Sequence, residues 1–261
     1  MSLQIPYERL VEYTGVHIDV NEEEDIAPHV PWASFLETFE WRQGDHVGLI
    51  APTDSGKTTL ALQLLPFQPY VTVFSTKPRD RTLADLTDKK SILAQKIGVY
   101  KRLDKWKQMS PDKYPRRLLW PDARDLYAMN HQRAVFQQAL SDIYYEGGWC
   151  VYLDELWFLS SILKLDQEVR IYLQQARAND ISLMISSQRP SRIPLEVYDQ
   201  SRHLFFAREN DTRNLDRIAG INNINEQIVR YLVARLEPHE FLYVNNRTGV
   251  MLRTVATPLG R

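Results

Sequence analysis

Short apolar runs alternate with amphipathic stretches along most of the chain. Runs rich in β-branched and aromatic residues and bounded by turn-forming residues predict buried strands at 46–51, 70–76, 149–156, 181–188 and 203–208. Apolar residues at helical spacing predict helices at 58–65, 134–146 and 166–180. Residues 241–255 carry a hairpin pattern with its turn near 246–249. Strands that alternate with helices predict an α/β fold with a largely parallel, helix-covered sheet and a C-terminal β-hairpin.

Two regions lack a clear hydrophobic period. Residues 1–43 are predicted to form an N-terminal leader that packs on the core, with at most a short helix at 32–39. Residues 80–135 mix helical pieces with a basic, aromatic segment and are interpreted as an insert. Because no linker-like composition separates two halves, residues 44–261 are predicted to form a single domain.

The composition is that of an ordinary globular protein. The chain has 261 residues, of which 44% are hydrophobic and 25% are charged, so it can bury a sizeable core. A single cysteine, Cys150, excludes an intramolecular disulfide framework and suits a reducing compartment. Neither a long apolar stretch nor the apolar region of a signal peptide is visible. We therefore expect a soluble, cytoplasmic protein that meets a membrane only through a partner.

The net charge of −1 conceals a basic segment. Residues 99–117 contain seven Lys and Arg against two Asp, interleaved with Tyr100, Trp106 and Tyr114. Such a mixture can contact phosphates and stack on bases, but it is equally typical of a solvated face or a subunit contact. The cations to neutralise in a test of DNA binding are Lys101, Arg102, Lys105 and Lys107, with Arg189 and Arg192 as the next candidates.

The stretch HVGLIAPTDSGKTTL, residues 46–60, matches the phosphate-binding pattern G-x-x-x-x-G-K-[ST] except at its first glycine. Backbone N–H groups of such a loop and the amino end of the following helix bind anionic phosphates. Lys57 supplies a positive charge for the β- and γ-phosphates, and the Thr58 hydroxyl is a ligand for Mg²⁺. The predicted nucleotide-binding residues are Ala51, Pro52, Thr53, Asp54, Ser55, Gly56, Lys57, Thr58 and Thr59, with the side chain of Thr59 expected to pack in the helix.

Two positions of this loop depart from the pattern. Ala51 stands where the first glycine is expected, and a methyl group is tolerated there if φ is negative. Asp54 would place a carboxylate beside phosphates, which is unfavourable unless the side chain points to solvent or to a neighbouring subunit. The alternative is a turn that binds nothing.

Polar residues at the ends of two later strands supply the remaining chemistry. A bound magnesium nucleotide needs a carboxylate on a neighbouring strand, and its hydrolysis needs a base for the attacking water. We predict Asp154 as the metal ligand and Glu155 as the base; without a phosphate loop they would be a surface acid pair. Gln188 suits a sensor of the γ-phosphate because an amide both donates and accepts hydrogen bonds, although alone it would be an ordinary loop residue.

Three motifs in this order, APTDSGKTT, VYLDEL and QQARANDISLMISSQRPSRIP, resemble the FtsK/HerA superfamily of DNA-pumping P-loop ATPases. The resemblance covers about residues 44–255 and is strongest at 46–60 and 149–194. It implies a RecA-like P-loop NTPase core in a homohexameric ring, with ATP and Mg²⁺ between subunits and double-stranded DNA in the central channel. It also implies a sensor strand between the loop strand and the metal strand.

The resemblance assigns roles to individual residues. Lys57 and Thr58 match the P-loop, Asp154 and Glu155 match the metal-binding and catalytic acids, and Gln188 matches the sensor. Arg177 matches an arginine that acts in trans on the neighbour's nucleotide, and Arg202 is a second candidate for that role.

The chain lacks the N-terminal β-barrel of HerA-type proteins and the membrane segments of FtsK-type proteins, so it is more similar to viral genome-packaging and phage morphogenesis ATPases. We therefore expect an ATP-hydrolysing motor that translocates or packages double-stranded DNA in a viral or mobile-element context. A portal, capsid or loading protein is a further expected partner, and the host cytoplasm or a capsid vertex is the expected location. One alternative is a nucleotide-dependent switch or scaffold. A small-molecule phosphotransferase is disfavoured because such kinases close an arginine-bearing lid over a monomeric site.

Overall fold

The computed structural model of the chain describes residues 23, 26–125, 127–219 and 225–259. Most of the predicted leader, residues 1–22 together with 24 and 25, lies outside the described residues. The boundary between leader and core at residue 43 therefore stays a prediction.

The strands confirm the predicted α/β fold. They are β1 His46–Ile50, β2 Val71–Phe74, β3 Lys101–Leu103, β4 Arg116–Leu119, β5 Cys150–Leu153, β6 Ser182–Ser187, β7 Ser201–Ala207, β8 Glu240–Asn245 and β9 Met251–Val255. They form a nine-stranded sheet in the order β3-β4-β2-β5-β6-β1-β7-β8-β9. Since β6 lies between β5 and β1, the position expected for the sensor strand is confirmed.

Helices connect these strands along the chain. They are α1 Trp32–Thr38, α2 Lys57–Leu64, α3 Arg81–Asp85, α4 Ile92–Ile97, α5 Met129–Glu146, α6 Asp166–Gln175, α7 Leu195–Gln200, α8 Thr212–Ala219 and α9 Glu226–Arg235. Helix α5 ends at Gly147, where φ is 68° and a Cβ would lie 2.8 Å from the carbonyl oxygen of Asn179. Only glycine fits there, so the predicted end of this helix is confirmed. Within the described ranges, no helix combines the length and the apolar character that crossing a bilayer requires.

One compact unit of the chain, the parallel unit, comprises the described residues of the ranges 41–46, 58–186 and 258–261. In it β3 pairs with β4, β4 with β2, β2 with β5 and β5 with β6, all in parallel. Every residue of β2 and β5 is buried, as is usual for parallel strands that are covered on both faces. The predicted insert at 80–135 contains β3 and β4, which the hydrophobic pattern did not predict.

The other compact unit, the hairpin unit, comprises the described residues of the ranges 1–40, 47–57 and 187–257. Here β7 pairs with β8 and β8 with β9, both antiparallel, so the predicted C-terminal hairpin is confirmed. Helix α1 is packed by aromatic contacts, since the ring of Phe35 meets Phe205 and Tyr243 edge-on at centroid distances of 5.8 and 5.1 Å.

Candidate nucleotide site

The phosphate-binding pattern lies in a loop that joins β1 to α2. Two of its residues have left-handed backbone, Asp54 with φ of 61° and Gly56 with φ of 94°. Glycine adopts this conformation without strain, and aspartate is among the side chains that tolerate it. The side chain of Asp54 is exposed, which satisfies the condition under which its carboxylate is acceptable in this loop.

Ala51 continues the hydrogen bonding of the strand that precedes the loop. Its backbone N–H donates to the carbonyl oxygen of Ser187, the last residue of β6, at 3.1 Å, and it is 2% exposed. Ala51 is not among the residues with positive φ. A methyl group therefore fits at this position, because the backbone of Ala51 does not adopt the positive φ that would require glycine.

The ammonium group of Lys57 lies against the turn of its own loop. It donates to the carbonyl oxygens of Ala51 and Pro52 at 2.5 and 2.6 Å, and the Ser55 hydroxyl donates to Pro52 at 2.8 Å. Helix α2 begins at Lys57, so its first N–H groups have no partner within the helix. These donors and the ammonium are the groups by which such a loop binds a phosphate.

Gln188, the predicted sensor, is hydrogen-bonded to the phosphate-binding loop. The Thr53 hydroxyl donates to Gln188 Oε1 at 2.9 Å, and both side chains are exposed. The amide nitrogen of Gln188 is the donor that the sensor role requires. A change in the loop can therefore reach the end of β6 through one hydrogen bond.

Asp154 follows the last residue of β5 and is 7% exposed. Its Oδ1 accepts a hydrogen bond from the Tyr152 hydroxyl at 2.9 Å, and its Oδ2 lies 2.9 Å from Lys77 Nζ. Burial raises the pKa of Tyr152 well above its usual value, so this hydroxyl stays protonated and remains a donor. The Ser186 hydroxyl also donates to the backbone carbonyl of Asp154. The carboxylate is thus held in one orientation at the carboxyl edge of the sheet.

Glu155 is half-buried directly after Asp154, and its backbone carbonyl accepts from Leu159 at the start of the following helical turn. Thr58 and Thr59 are half-buried in the first turn of α2. The roles of Glu155 as the base, of Thr58 as a metal ligand and of Thr59 as a helix-packing residue stay predictions.

Arg177 lies at the opposite edge of the parallel unit from Asp154. It precedes β6, whereas Asp154 follows β5, and these two strands are parallel with Cys150 opposite Ser182. A strand of this length spans about 20 Å, so Arg177 cannot reach Asp154 of its own subunit. Its guanidinium forms an ion pair with Asp45, whose side chain is 5% exposed while that of Arg177 is 56% exposed.

Arg202, the second candidate, is half-buried in β7, and its backbone carbonyl accepts from Asn246 at 2.8 Å. Which of the two arginines acts in trans stays a prediction.

The basic segment 99–117 is folded against its own aromatic residues. Tyr100 and Trp106 are 1% and 7% exposed, so of the three rings that could stack on bases these two are enclosed and only Tyr114 is partly exposed. Both rings face the core of the parallel unit, where Trp106 meets Trp149 at 5.5 Å. Five of the seven cations lie over rings: Lys101 and Lys113 over Tyr114, Arg102 over Trp120, Arg116 over Tyr100, and Arg117 over Trp106 and Trp149.

Sequence reasoning missed several side chains beside the predicted residues. Lys77 and Tyr152 both contact Asp154, and the ring of His239 lies 3.7 Å from the point where a Cβ on Gly56 would stand. Tyr152 lies within the VYLDEL motif, at a position whose side chain emerges on the same face of β5 as Asp154, so the strand period could have indicated it. No comparable signal marks Lys77 or His239.

Neither a protein-family model nor a curated protein sequence matches the chain. Solved structures do match it. B204, the DNA-packaging ATPase from Sulfolobus Turreted Icosahedral Virus, is 14% identical, with a TM-score of 0.56 over 84% of this chain and 99% of that one. The chain therefore has the same overall fold as this DNA-packaging ATPase.

Two further structures extend this comparison. The genome-packaging NTPase B204 from Sulfolobus turreted icosahedral virus 2, in complex with ATP-gammaS, gives the same TM-score of 0.56 at 14% identity over 84% of this chain and 99% of that one. EssC (ATPases 2 and 3) from Geobacillus thermodenitrificans gives 0.51 at 10% identity over 85% of this chain and 42% of that one. The likeness to these ATPases is a likeness of fold.

Proposed function

We propose that the chain is an ATP-hydrolysing motor of the FtsK/HerA type that translocates or packages double-stranded DNA in a viral or mobile-element context. The observation that carries the proposal is the loop at 51–56. Left-handed backbone at Asp54 and Gly56 leads directly into the helix that begins with Lys57. The likeness to a genome-packaging NTPase crystallised with ATP-gammaS supports ATP as the nucleotide.

Phosphate binding and metal binding are assigned to different residues of the chain. Lys57 and the N–H groups at the start of α2 bind the phosphates. Thr58 and Asp154 offer a hydroxyl and a carboxylate, the hard oxygen ligands that Mg²⁺ prefers, and they would hold that ion. Mg²⁺, when bound, supplies positive charge at the phosphate oxygens.

Hydrolysis needs a proton acceptor and an orienting group for water. We assign the first role to a carboxylate oxygen of Glu155, which directly follows the proposed metal ligand Asp154. The amide of Gln188 orients the water or contacts the γ-phosphate, and its bond to Thr53 links that event to the loop. An arginine of a neighbouring subunit, Arg177 or Arg202, stabilises the charge that develops on the γ-phosphate.

These assignments require an oligomer, which we propose to be a homohexameric ring around double-stranded DNA, with a portal, capsid or loading protein as a further partner. A location in the host cytoplasm or at a capsid vertex belongs to the same proposal.

The test is an ATPase assay on the purified oligomer with and without linear double-stranded DNA. The wild type should hydrolyse ATP faster when DNA is present. Glu155→Gln should bind ATP without hydrolysing it, because an amide cannot accept the proton of the attacking water. Glu37→Gln, which changes an exposed glutamate of α1 in the same way, should behave as the wild type. Normal hydrolysis by Glu155→Gln would place the base elsewhere.

One observation favours a second candidate, a nucleotide-dependent switch or scaffold that does not pump DNA. Tyr100, Trp106 and Arg117 of the segment 99–117 are buried, which removes two rings and one cation from contact with DNA. Hydrolysis that is indifferent to DNA over a range of salt concentrations would support this candidate against the motor.

A further inference from the structure

Lys77 bridges two carboxylates at the carboxyl edge of the parallel unit. Its ammonium nitrogen lies 2.9 Å from Asp154 Oδ2 and 3.1 Å from Asp80 Oδ2. The side chain of Asp154 is 7% exposed and that of Asp80 14%, whereas that of Lys77 is 44% exposed. A solvent-accessible cation is therefore shared between two largely enclosed anions.

Asp154 depends on a positive partner because a buried carboxylate is costly unless its charge is compensated. Tyr152 supplies a hydrogen bond to one of its oxygens, and Lys77 supplies the compensating charge at the other. Burial by itself lowers the pKa of Lys77, but the two carboxylates outweigh it and leave the pKa above its usual value. The ammonium is therefore charged at neutral pH.

The backbone around Lys77 is held while its side chain is not enclosed. The carbonyl oxygen of Lys77 accepts from Trp120 Nε1 at 2.7 Å, and that of Thr76 accepts from Gln132 at 3.1 Å. A lysine ammonium on a flexible stem can exchange partners without moving the main chain. Asp80 is the N-cap of α3, where its Oδ1 accepts from the N–H of Leu83 at 3.0 Å. Its Oδ2 is the atom that Lys77 contacts.

We propose that Lys77 is a positioning residue that competes with the divalent cation for Asp154 and moves onto Asp80 when the magnesium nucleotide binds. The proposal rests on the metal-binding role proposed for Asp154. Two cations beside one carboxylate repel each other, so the ion pair and the metal are alternative partners of Asp154. The exchange connects nucleotide binding to the first turn of α3.

The test is a Mg²⁺ titration at saturating AMPPCP, a non-hydrolysable ATP analogue, with the Mg²⁺ dissociation constant as the readout. Lys77→Met removes the competing charge and should bind Mg²⁺ at least about threefold more tightly than the wild type. Asp80→Asn removes the alternative partner but keeps a good N-cap, so it should bind Mg²⁺ more weakly. Lys77→Arg should resemble the wild type, and so should Lys96→Met, which changes an exposed lysine of α4.

A double-mutant cycle separates competition from a general change of charge. If Lys77 mediates the effect of Asp80, adding Asp80→Asn to Lys77→Met should leave the Mg²⁺ dissociation constant unchanged. An equal effect of Asp80→Asn in both backgrounds would overturn the proposal. Unchanged or weaker Mg²⁺ binding by Lys77→Met would also overturn it.

Two further results keep the proposal separable from the proposed function. Failure of the wild type to bind AMPPCP would refute the nucleotide site and the inference with it, whereas AMPPCP binding with unaltered Mg²⁺ affinity in the variants would refute only the inference. If Lys77→Met does not fold, Asp80→Asn alone decides, since Mg²⁺ binding as tight as in the wild type contradicts the exchange.

Discussion

His46 provides a measurable link between pH and the stability of the parallel unit. It begins β1, is 3% exposed, and its Nδ1 accepts a hydrogen bond from the backbone N–H of Leu183 at 3.1 Å. Burial, assisted by the nearby charge of Arg177, lowers its pKa from 6.5 to about 4. Protonation of Nδ1 would place its N–H directly opposite the N–H of Leu183, and the two donors would repel each other. The folded state therefore retains the neutral ring.

The sign of the effect follows from the lowered pKa. Above pH 6.5 the ring is neutral in the folded and the unfolded state, so its lowered pKa does not change the free energy of unfolding. As the pH falls from 6.5 towards 4, the unfolded chain takes up a proton that the folded chain does not, so the free energy of unfolding decreases. The free energy of unfolding falls by about 2 kcal/mol at about pH 5, and the decrease approaches about 3 kcal/mol below the pKa of the folded state.

His46→Asn tests this reasoning because the amide oxygen can accept the Leu183 N–H but does not titrate. Urea unfolding followed by circular dichroism near pH 7 and near pH 5 gives the acid-induced loss for each protein. The loss in the wild type should exceed that in His46→Asn by about 2 kcal/mol. His131→Asn, which changes an exposed histidine of α5, should lose as much as the wild type. An equal loss in His46→Asn and the wild type would refute the argument.

Three further predictions concern the proposed function. Lys57→Ala should remain folded but lose binding of a fluorescent ATP analogue, and ordinary affinity in this variant would remove the P-loop assignment. Arg177→Ala should bind ATP normally yet hydrolyse it about 10³-fold more slowly. Mixing it with Lys57→Ala subunits should restore activity, whereas no recovery would exclude Arg177 as the trans residue. Lys105 and Lys107 are the cations of segment 99–117 for which the described residues include no aromatic partner, and neutralising both should lower the logarithmic salt slope of DNA binding by about two. An unchanged slope would assign the segment to a subunit contact and leave Arg189 and Arg192 as the next DNA-binding candidates.

The elements that could be predicted from the sequence are those marked by a local pattern, such as an apolar run or a residue that ends a helix. β1, β5 and β6 are apolar runs that end in turn-forming or polar residues, and α5 ends at a glycine, so sequence alone located them within a few residues. The position of β6 between β5 and β1 came from the resemblance, because strand order depends on pairing between distant segments.

The strands β3 and β4 were missed for a physical reason. They have the sequences KRL and RRLL, too short and too basic to display a strand period, and they form only because β2 offers a parallel edge to β4. The same segment carries an ambiguous signal for DNA contacts. Cations interleaved with aromatic residues look alike whether the rings face solvent or the core, and in this chain Arg117 is buried between Trp106 and Trp149.

The opposite placement of Asp154 and Arg177 constrains the oligomer that the proposed function requires. Asp154 lies at the carboxyl edge of the parallel strands, and Arg177 precedes the amino end of β6. If Arg177 completes a neighbour's nucleotide site, each contact joins the amino edge of one subunit to the carboxyl edge of the next. Such a contact uses two different surfaces, so a two-fold dimer cannot satisfy it, and repetition leads to a closed ring or an open helix. Because Arg177 holds its ion pair with Asp45 while 56% of its side chain is exposed, the guanidinium is anchored and still accessible to a neighbouring subunit.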